Sequence, residues 1–278
     1  MSTITEREAL EVAAANASNK QPVVFIHGLW LLASSWDAWR ERFEAQGFAT
    51  VAVDWPGDAT SVDEAKAGND TLAGVGVQEV TDHIAEVVRS LDKKPILVGH
   101  SFGGLLVQRV ADLGLAVASV AIDPAPFKGV LPLPASTLKA SSPVLSNPAN
   151  RKRTVTLTFE QFRYGFANAV SENEAHSLYE KFHVAGPGRP LFQAAAANLN
   201  PNAPTKVDVL NPSRGSLLII NGSEDHIVPN AVAKAAFKLQ SKNPGRTEFR
   251  ELDGLGHSLV IDSQWGEVAD AVIEFIRS

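Results

Sequence analysis

The chain has 278 residues, 45% of them hydrophobic and 20% charged, with a net charge of −6, a composition that fits one large globular domain or two small ones. The acidic balance, with no basic run longer than Arg151-Lys152-Arg153, argues against nucleic acid or an anionic membrane surface as a partner. The absence of cysteine excludes disulfides, thiolate catalysis and cysteine-zinc sites.

The N-terminal stretch carries Glu6, Glu8 and Glu11 and no apolar core of a secretion signal. No later run approaches the roughly 18 apolar residues of a membrane span, so a cytoplasmic protein is expected. TEREALEVAAANA, rich in alanine and glutamate, reads as a helix. Short β-rich runs then alternate with helical patterns. VVFIHG (23–28) precedes a helical segment at 35–46. FATVAVD (48–54) precedes another at 75–91, where Val77, Val80, Ile84, Val87, Val88 and Leu91 form one apolar stripe. PILVGH (95–100) leads into a helix at 102–113, and SVAID (119–123) follows. After a long interval come SLLIING (216–222), a helix at 230–240, TEFREL (247–252) and a helix at 264–277. Continuously apolar strands are those covered on both faces of a parallel sheet. The alternation implies a doubly wound α/β fold, with a mostly parallel sheet of six to eight strands.

Residues 127–213 break this rhythm. They contain nine prolines and three helix-like pieces, at 159–169, 171–183 and 189–199, with weak alternation in TVTLTF (154–159). The interval is too long for a loop. The expected division is a core of 1–126 and 214–278, with 127–213 as a mostly helical cap over the C-terminal edge of the sheet, where ligands bind in open α/β folds.

Gly99-His100-Ser101-Phe102-Gly103 fits G-x-S-x-G between a strand and a helix. A serine on so sharp a turn needs neighbours without bulk, and the following helix N-terminus favours developing negative charge. A capped glycine-rich turn is the plainer alternative. As a nucleophile, Ser101 needs a base and an orienting acid. Among the seven histidines, His257 stands in a loop after a late strand, directly behind Gly256. Asp225 follows the strand SLLII and is the preferred acid. Asp123, at the end of SVAID and before Pro124, competes with it, or simply starts an Asp-Pro turn. The N–H groups of Leu29, after His27-Gly28, and of Phe102 would form an oxyanion hole. His27 is expected to brace that loop.

His27-Gly28, the Gly99–Gly103 turn, Asp225 with Pro229, and Gly256-His257 together resemble the α/β-hydrolase family over about residues 22–278. The order serine, aspartate, histidine is the family's order. The resemblance places the cap between the family's sixth and seventh strands, and looks most like esterases and cofactor-free haloperoxidase (perhydrolase) relatives. One departure is the N-terminus, where the family's opening hairpin is replaced by a helical pattern. Members that open epoxides or displace halide use aspartate at the nucleophile position, and this chain has Ser101.

The expected pocket is apolar, with Trp30, Phe127, Phe162 and Phe166 around it, although each aromatic also suits cap-to-core packing. No metal or cofactor is called for. The expected activity is hydrolysis of a small-to-medium, mostly apolar ester or lactone through an acyl-enzyme. The same triad would also serve carbon-carbon bond hydrolysis, perhydrolysis, acyl transfer or cofactor-free oxygenation, and a ligand-binding receptor is a further alternative.

Overall fold

The computed structural model describes residues 4–68 and 70–278. Residues 1–3, where the expected core begins, and Asn69 lie outside that description. The chain opens with helix α1 (Glu6–Ala17), strand β1 (Pro22–Ile26), helix α2 (Asp37–Ala45), strand β2 (Ala49–Val53), helix α3 (Val62–Lys66) and helix α4 (Val77–Arg89). Strand β3 (Ile96–His100), helix α5 (Phe102–Asp112) and strand β4 (Ala118–Ile122) follow. Between β4 and the next core strand come α6 (Ala135–Leu145), β5 (Thr154–Val155), α7 (Phe159–Gly165), α8 (Glu172–Phe182), β6 (Gly186–Pro187) and α9 (Arg189–Ala195). The chain closes with β7 (Ser216–Gly222), α10 (Asn230–Gln240), β8 (Thr247–Leu252) and α11 (Trp265–Arg277).

Six strands form one sheet in the order β2-β1-β3-β4-β7-β8, and every neighbouring pair is parallel. The first three strands in the chain are buried at every residue, as their unbroken apolar runs require. The stripe of α4 is fully used: Val77, Val80, Ile84, Val87 and Val88 all face the core. Trp36, Trp39 and Phe43 are likewise buried, packing their rings around Phe25.

Helix α1 forms where the alanine- and glutamate-rich pattern predicts it. Thr5 and Glu8 cap it reciprocally. Its two inward carboxylates meet the free side of β2: Glu11 accepts from the Ala52 N–H at 2.9 Å and Glu8 from the Asp54 N–H at 3.0 Å. Glu8 also contacts Nε2 of His83 at 2.9 Å. Burial works against ionisation of Glu8, but His83 and these backbone donors outweigh it and hold its pKa below the ordinary value.

The structure differs from expectation mainly in boundaries and in the interval between β4 and β7. The predicted helix 35–46 begins as a 3₁₀ turn at Ala33–Trp36. TVTLTF yields only the two-residue β5, paired antiparallel with β6. Helix α6 was hidden by Pro143 inside it, and α3 by its shortness. Among the described residues no helix is long and apolar enough to cross a membrane.

Candidate active site

Ser101 sits between β3 and α5 with φ 56° and ψ −120°. A serine in that region is strained by about 1–3 kcal/mol, so the surroundings must impose the turn. The Ser101 N–H donates to Ile122 O at 2.9 Å, and its carbonyl accepts from Ala125 N at 2.9 Å and Leu105 N at 3.2 Å. A Cβ on Gly103 would lie 2.1 Å from Ile26 O, and one on Gly28 would lie 2.7 Å from the Ser101 Cβ. The backbone therefore closes on the turn from both sides, and only glycine fits.

His257 occupies the loop after β8. The carbonyl of Phe166 accepts from the Ser258 N–H at 2.9 Å. The Phe166 ring stands edge-on to the His257 ring, at 4.9 Å and 82°. Nδ1 of His257 lies 2.6 Å from Oδ2 of Asp225. Oδ1 of Asp225 accepts from the N–H groups of Ile227 (2.6 Å) and Val228 (2.9 Å). That three-donor set fixes the carboxylate and leaves Nε2 of His257 as the ring nitrogen without a described partner, buried at the same sheet edge as Ser101.

The N–H groups of Leu29 and Phe102 have no acceptor among the described residues. Phe102 opens α5, where an unpaired N–H is expected. Leu29 follows Gly28 in the loop after β1. His27 supports that loop: Nδ1 donates to Gly28 O at 2.8 Å, and Nε2 lies 2.9 Å from Oδ2 of Asp58, which also accepts from Trp55 N at 2.6 Å. Burial disfavours charge on His27, yet Asp58 outweighs it and raises the His27 pKa.

Asp123 ends β4 in a left-handed conformation, φ 42°. Its Oδ1 accepts from Asn221 Nδ2 (2.8 Å) and Gly222 N (2.9 Å). Its Oδ2 lies 3.9 Å from Nδ1 of His257. Asp225 is thus the nearer acid and Asp123 stands just behind it. His100 donates from Nε2 to the carbonyl of His257 at 2.9 Å. Burial and then the neighbouring His257 push the His100 pKa well below the ordinary value, so this ring is neutral. His100, Asp123 and His257 bring metal-capable atoms within 4.8 Å of one another. His257 Nδ1 and His100 Nε2 are already engaged in the contacts given above.

A cavity of about 200 Å³ opens at Ser101 and Phe102. Trp30 and Phe127 line it, with Leu133, Leu138, Leu191 and Ala194 from the β4–β7 interval. None of its lining residues is charged. Phe162 and Phe166, expected in this wall, are not among them. They are fully buried and stacked on each other at 5.1 Å, with Phe166 against His257. An aromatic near the site signals proximity in a sequence but not which side of the histidine it takes. Ile227 and Val228, which flank the acid and also line the cavity, were missed. Their place two and three residues after Asp225 was the available signal.

Residues 23–271 match the alpha/beta hydrolase family, and the chain belongs to that family. Its fold is shared with an extracellular alpha/beta-hydrolase from a Paenibacillus species: TM-score 0.67 and 23% identity, over 91% of this chain and 98% of the other. It is also similar to a monoacylglycerol lipase of Paleococcus ferrophilus, with TM-score 0.64 and 22% identity over 91% and 93% of the two chains. A pyrethroid hydrolase from Sphingobium faniae JZ-2 gives TM-score 0.64 and 19% identity over 93% and 98%.

Proposed function

We propose that this protein is a serine hydrolase of small-to-medium, uncharged carboxylic esters or lactones, acting through an acyl-enzyme beneath a cap formed by residues 127–213. The observation that carries this reading is the strained Ser101 turn opening into an uncharged, largely aliphatic cavity. The polar side chains of that lining are already occupied. Thr137 donates to Ile227 O, Ser141 to Thr137 O, Trp30 to Val155 O, and Asn198 to Val130 O. Ser101 Oγ is the hydroxyl left without a described partner, so the substrate gains apolar contact rather than hydrogen bonds along the walls. A volume of about 200 Å³ is below the roughly 300–1,000 Å³ typical of sites for drug-sized ligands. The activities named for the structural neighbours, a lipase and a pyrethroid hydrolase, are compatible with such a substrate.

In this mechanism Ser101 Oγ attacks the carbonyl carbon while Nε2 of His257 takes its proton. The negative charge on the carbonyl oxygen is received by the N–H groups of Leu29 and Phe102, donors already in place before the reaction. Asp225 fixes the tautomer of His257 and stabilises its charged form. His257 then returns the proton to the departing alkoxide. Water, deprotonated by the same nitrogen, attacks the acyl-Ser101 carbonyl, and collapse of that intermediate frees the acid and regenerates the serine.

The test is fluorophosphonate labelling combined with a p-nitrophenyl ester panel. Labelling of Ser101 that disappears in His257→Ala, with ester turnover, is the expected result. No labelling, with turnover only of a diketone, would overturn it.

A further inference from the structure

Asp123 is a fully buried carboxyl for which the mechanism above has no use. It sits between the parts of the site. Its Oδ1 is held by Asn221 Nδ2 and Gly222 N from β7, and its N–H donates to Ile220 O at 2.8 Å. Its backbone adopts φ 42° immediately before Pro124 and Ala125, and the Ala125 N–H binds the carbonyl of the nucleophile. No N–H or hydroxyl among the described residues reaches Oδ2. That oxygen lies 3.9 Å from Nδ1 of His257, the same nitrogen that Oδ2 of Asp225 approaches at 2.6 Å, so the two carboxyl groups converge on one ring atom.

Two carboxylates that share a dry site cannot both ionise. The donors decide which one keeps the charge. Asp225 faces two backbone N–H groups and His257. Asp123 receives donors only on Oδ1, and its second oxygen faces another acid. We propose that Asp123 is a positioning residue of this site, a neutral carboxylic acid whose Oδ2–H donates to Asp225 and holds that carboxylate on Nδ1 of His257. Burial, and after it the charge of Asp225, raises the Asp123 pKa well above the ordinary carboxylate range, in agreement with this geometry. The other titratable groups facing Asp123 are His257 and the neutral His100 on β3.

The consequence is a shared charge. A fourth donor on Asp225 draws negative charge away from its contact with His257, so the Nδ1–H hydrogen bond to Asp225 is weaker than it would be without Asp123. In Asp225→Asn that competition disappears. Asp123 then ionises and becomes the acid nearest to Nδ1 of His257.

The proposal rests on the hydrolase reading for its kinetic arm only. Ester turnover and the NMR chemical shift of the His257 Nδ1–H proton are measured in the wild type, Asp123→Asn, Asp123→Ala, Asp225→Asn and the double asparagine variant. An asparagine repeats both roles of the neutral acid, accepting at Oδ1 and donating from Nδ2. Asp123→Ala is expected to lose roughly 10- to 100-fold in kcat with KM little changed, the usual cost of a lost hydrogen bond to a charged group. Asp123→Asn restores most of that loss. In the Asp225→Asn background, Asp123→Asn removes a further tenfold or more of the residual rate. The His257 Nδ1–H resonance moves downfield in Asp123→Ala and stays near its wild-type position in Asp123→Asn. An Asp123→Asn protein as impaired as Asp225→Asn would overturn the neutral-donor assignment, as would an unchanged Nδ1–H resonance in Asp123→Ala. The resonance needs no substrate. A wild type without ester turnover but with the expected differences in that resonance would therefore sink the hydrolase reading and leave the Asp123–Asp225 pairing intact.

Discussion

At the sheet's C-terminal edge Gly103 leaves no room for a methyl group against Ile26, while across the cavity Leu133 and Leu138 end in solvent, 64% and 49% exposed. The Ser101 turn is fixed by backbone hydrogen bonds and steric exclusion from two neighbouring strands. The facing wall is built from side chains of a proline-interrupted interval, which meet the cavity by contact alone. Atoms that must move a proton need placement to a fraction of an ångström. A wall that only excludes water and measures length needs volume. The two regions should therefore respond to substitution in different currencies, activity or folding on one side and preference on the other.

The largest expected effect is on the sheet side. Ser101→Ala and His257→Ala should each reduce kcat on the order of 10⁴-fold or more, with circular dichroism and melting temperature unchanged; steady-state kinetics on one good ester decides this. Next is Gly103→Ala, whose Cβ would stand 2.1 Å from the Ile26 carbonyl oxygen. A cost of about 3 kcal/mol or more is expected, read as a shifted urea midpoint or as insoluble protein. A normally stable Gly103→Ala enzyme would show that the turn is softer than described.

The β4–β7 interval has a pH weakness of its own. His183 accepts from Leu157 N at Nε2 and is buried, and burial, followed by Lys66, lowers its pKa to about 4. The unfolded value is near 6.5. Between those values the unfolded chain binds a proton that the folded chain refuses, so stability falls as pH drops from about 6.5 to about 4, and this loss levels off below. The full effect is on the order of 3 kcal/mol. His183→Gln, which accepts the same bond without titrating, should flatten this part of the profile in urea melts at pH 7 and 5. The smallest effect belongs to the wall: Ala194→Phe should lower the butyrate-to-acetate ratio of kcat/KM about tenfold while acetate turnover stays within a few fold.

The same division governs what the sequence revealed. Most of the core strands were visible because parallel strands buried on both faces are apolar without interruption, as in VVFI and SLLII, whereas the charged, half-exposed edge strand β8 was marked by its place in the alternation. Ser101, Asp225 and His257 could be singled out as candidates because each lies in a loop after a strand at one sheet edge. The interval 127–213 was visible as a gap, and α7, α8 and α9 as helix-like pieces within it, but its other elements were not. Helix α6 carries an internal proline, and β5 and β6 are two residues each, below any periodicity. Phe162 and Phe166 could be placed near the site but not on a side of it. Asp123 was weighed as a rival to Asp225 or a turn former. A one-letter D carries no sign of whether a carboxyl accepts or donates, because that depends on Asn221, Gly222 and Asp225, which β7 and the loop after it bring to the site.

The N-terminal helix closes the sheet in a way that a hairpin could not. With Glu8 and Glu11 seated against the outer side of β2, the N–H groups of Ala52 and Asp54 meet carboxylates rather than another chain. A strand there would only have passed the open ladder one position outward, leaving a new template for pairing between molecules. Two glutamates on a helix end it. On that side the sheet meets the side-chain oxygens of a helix instead of an open strand.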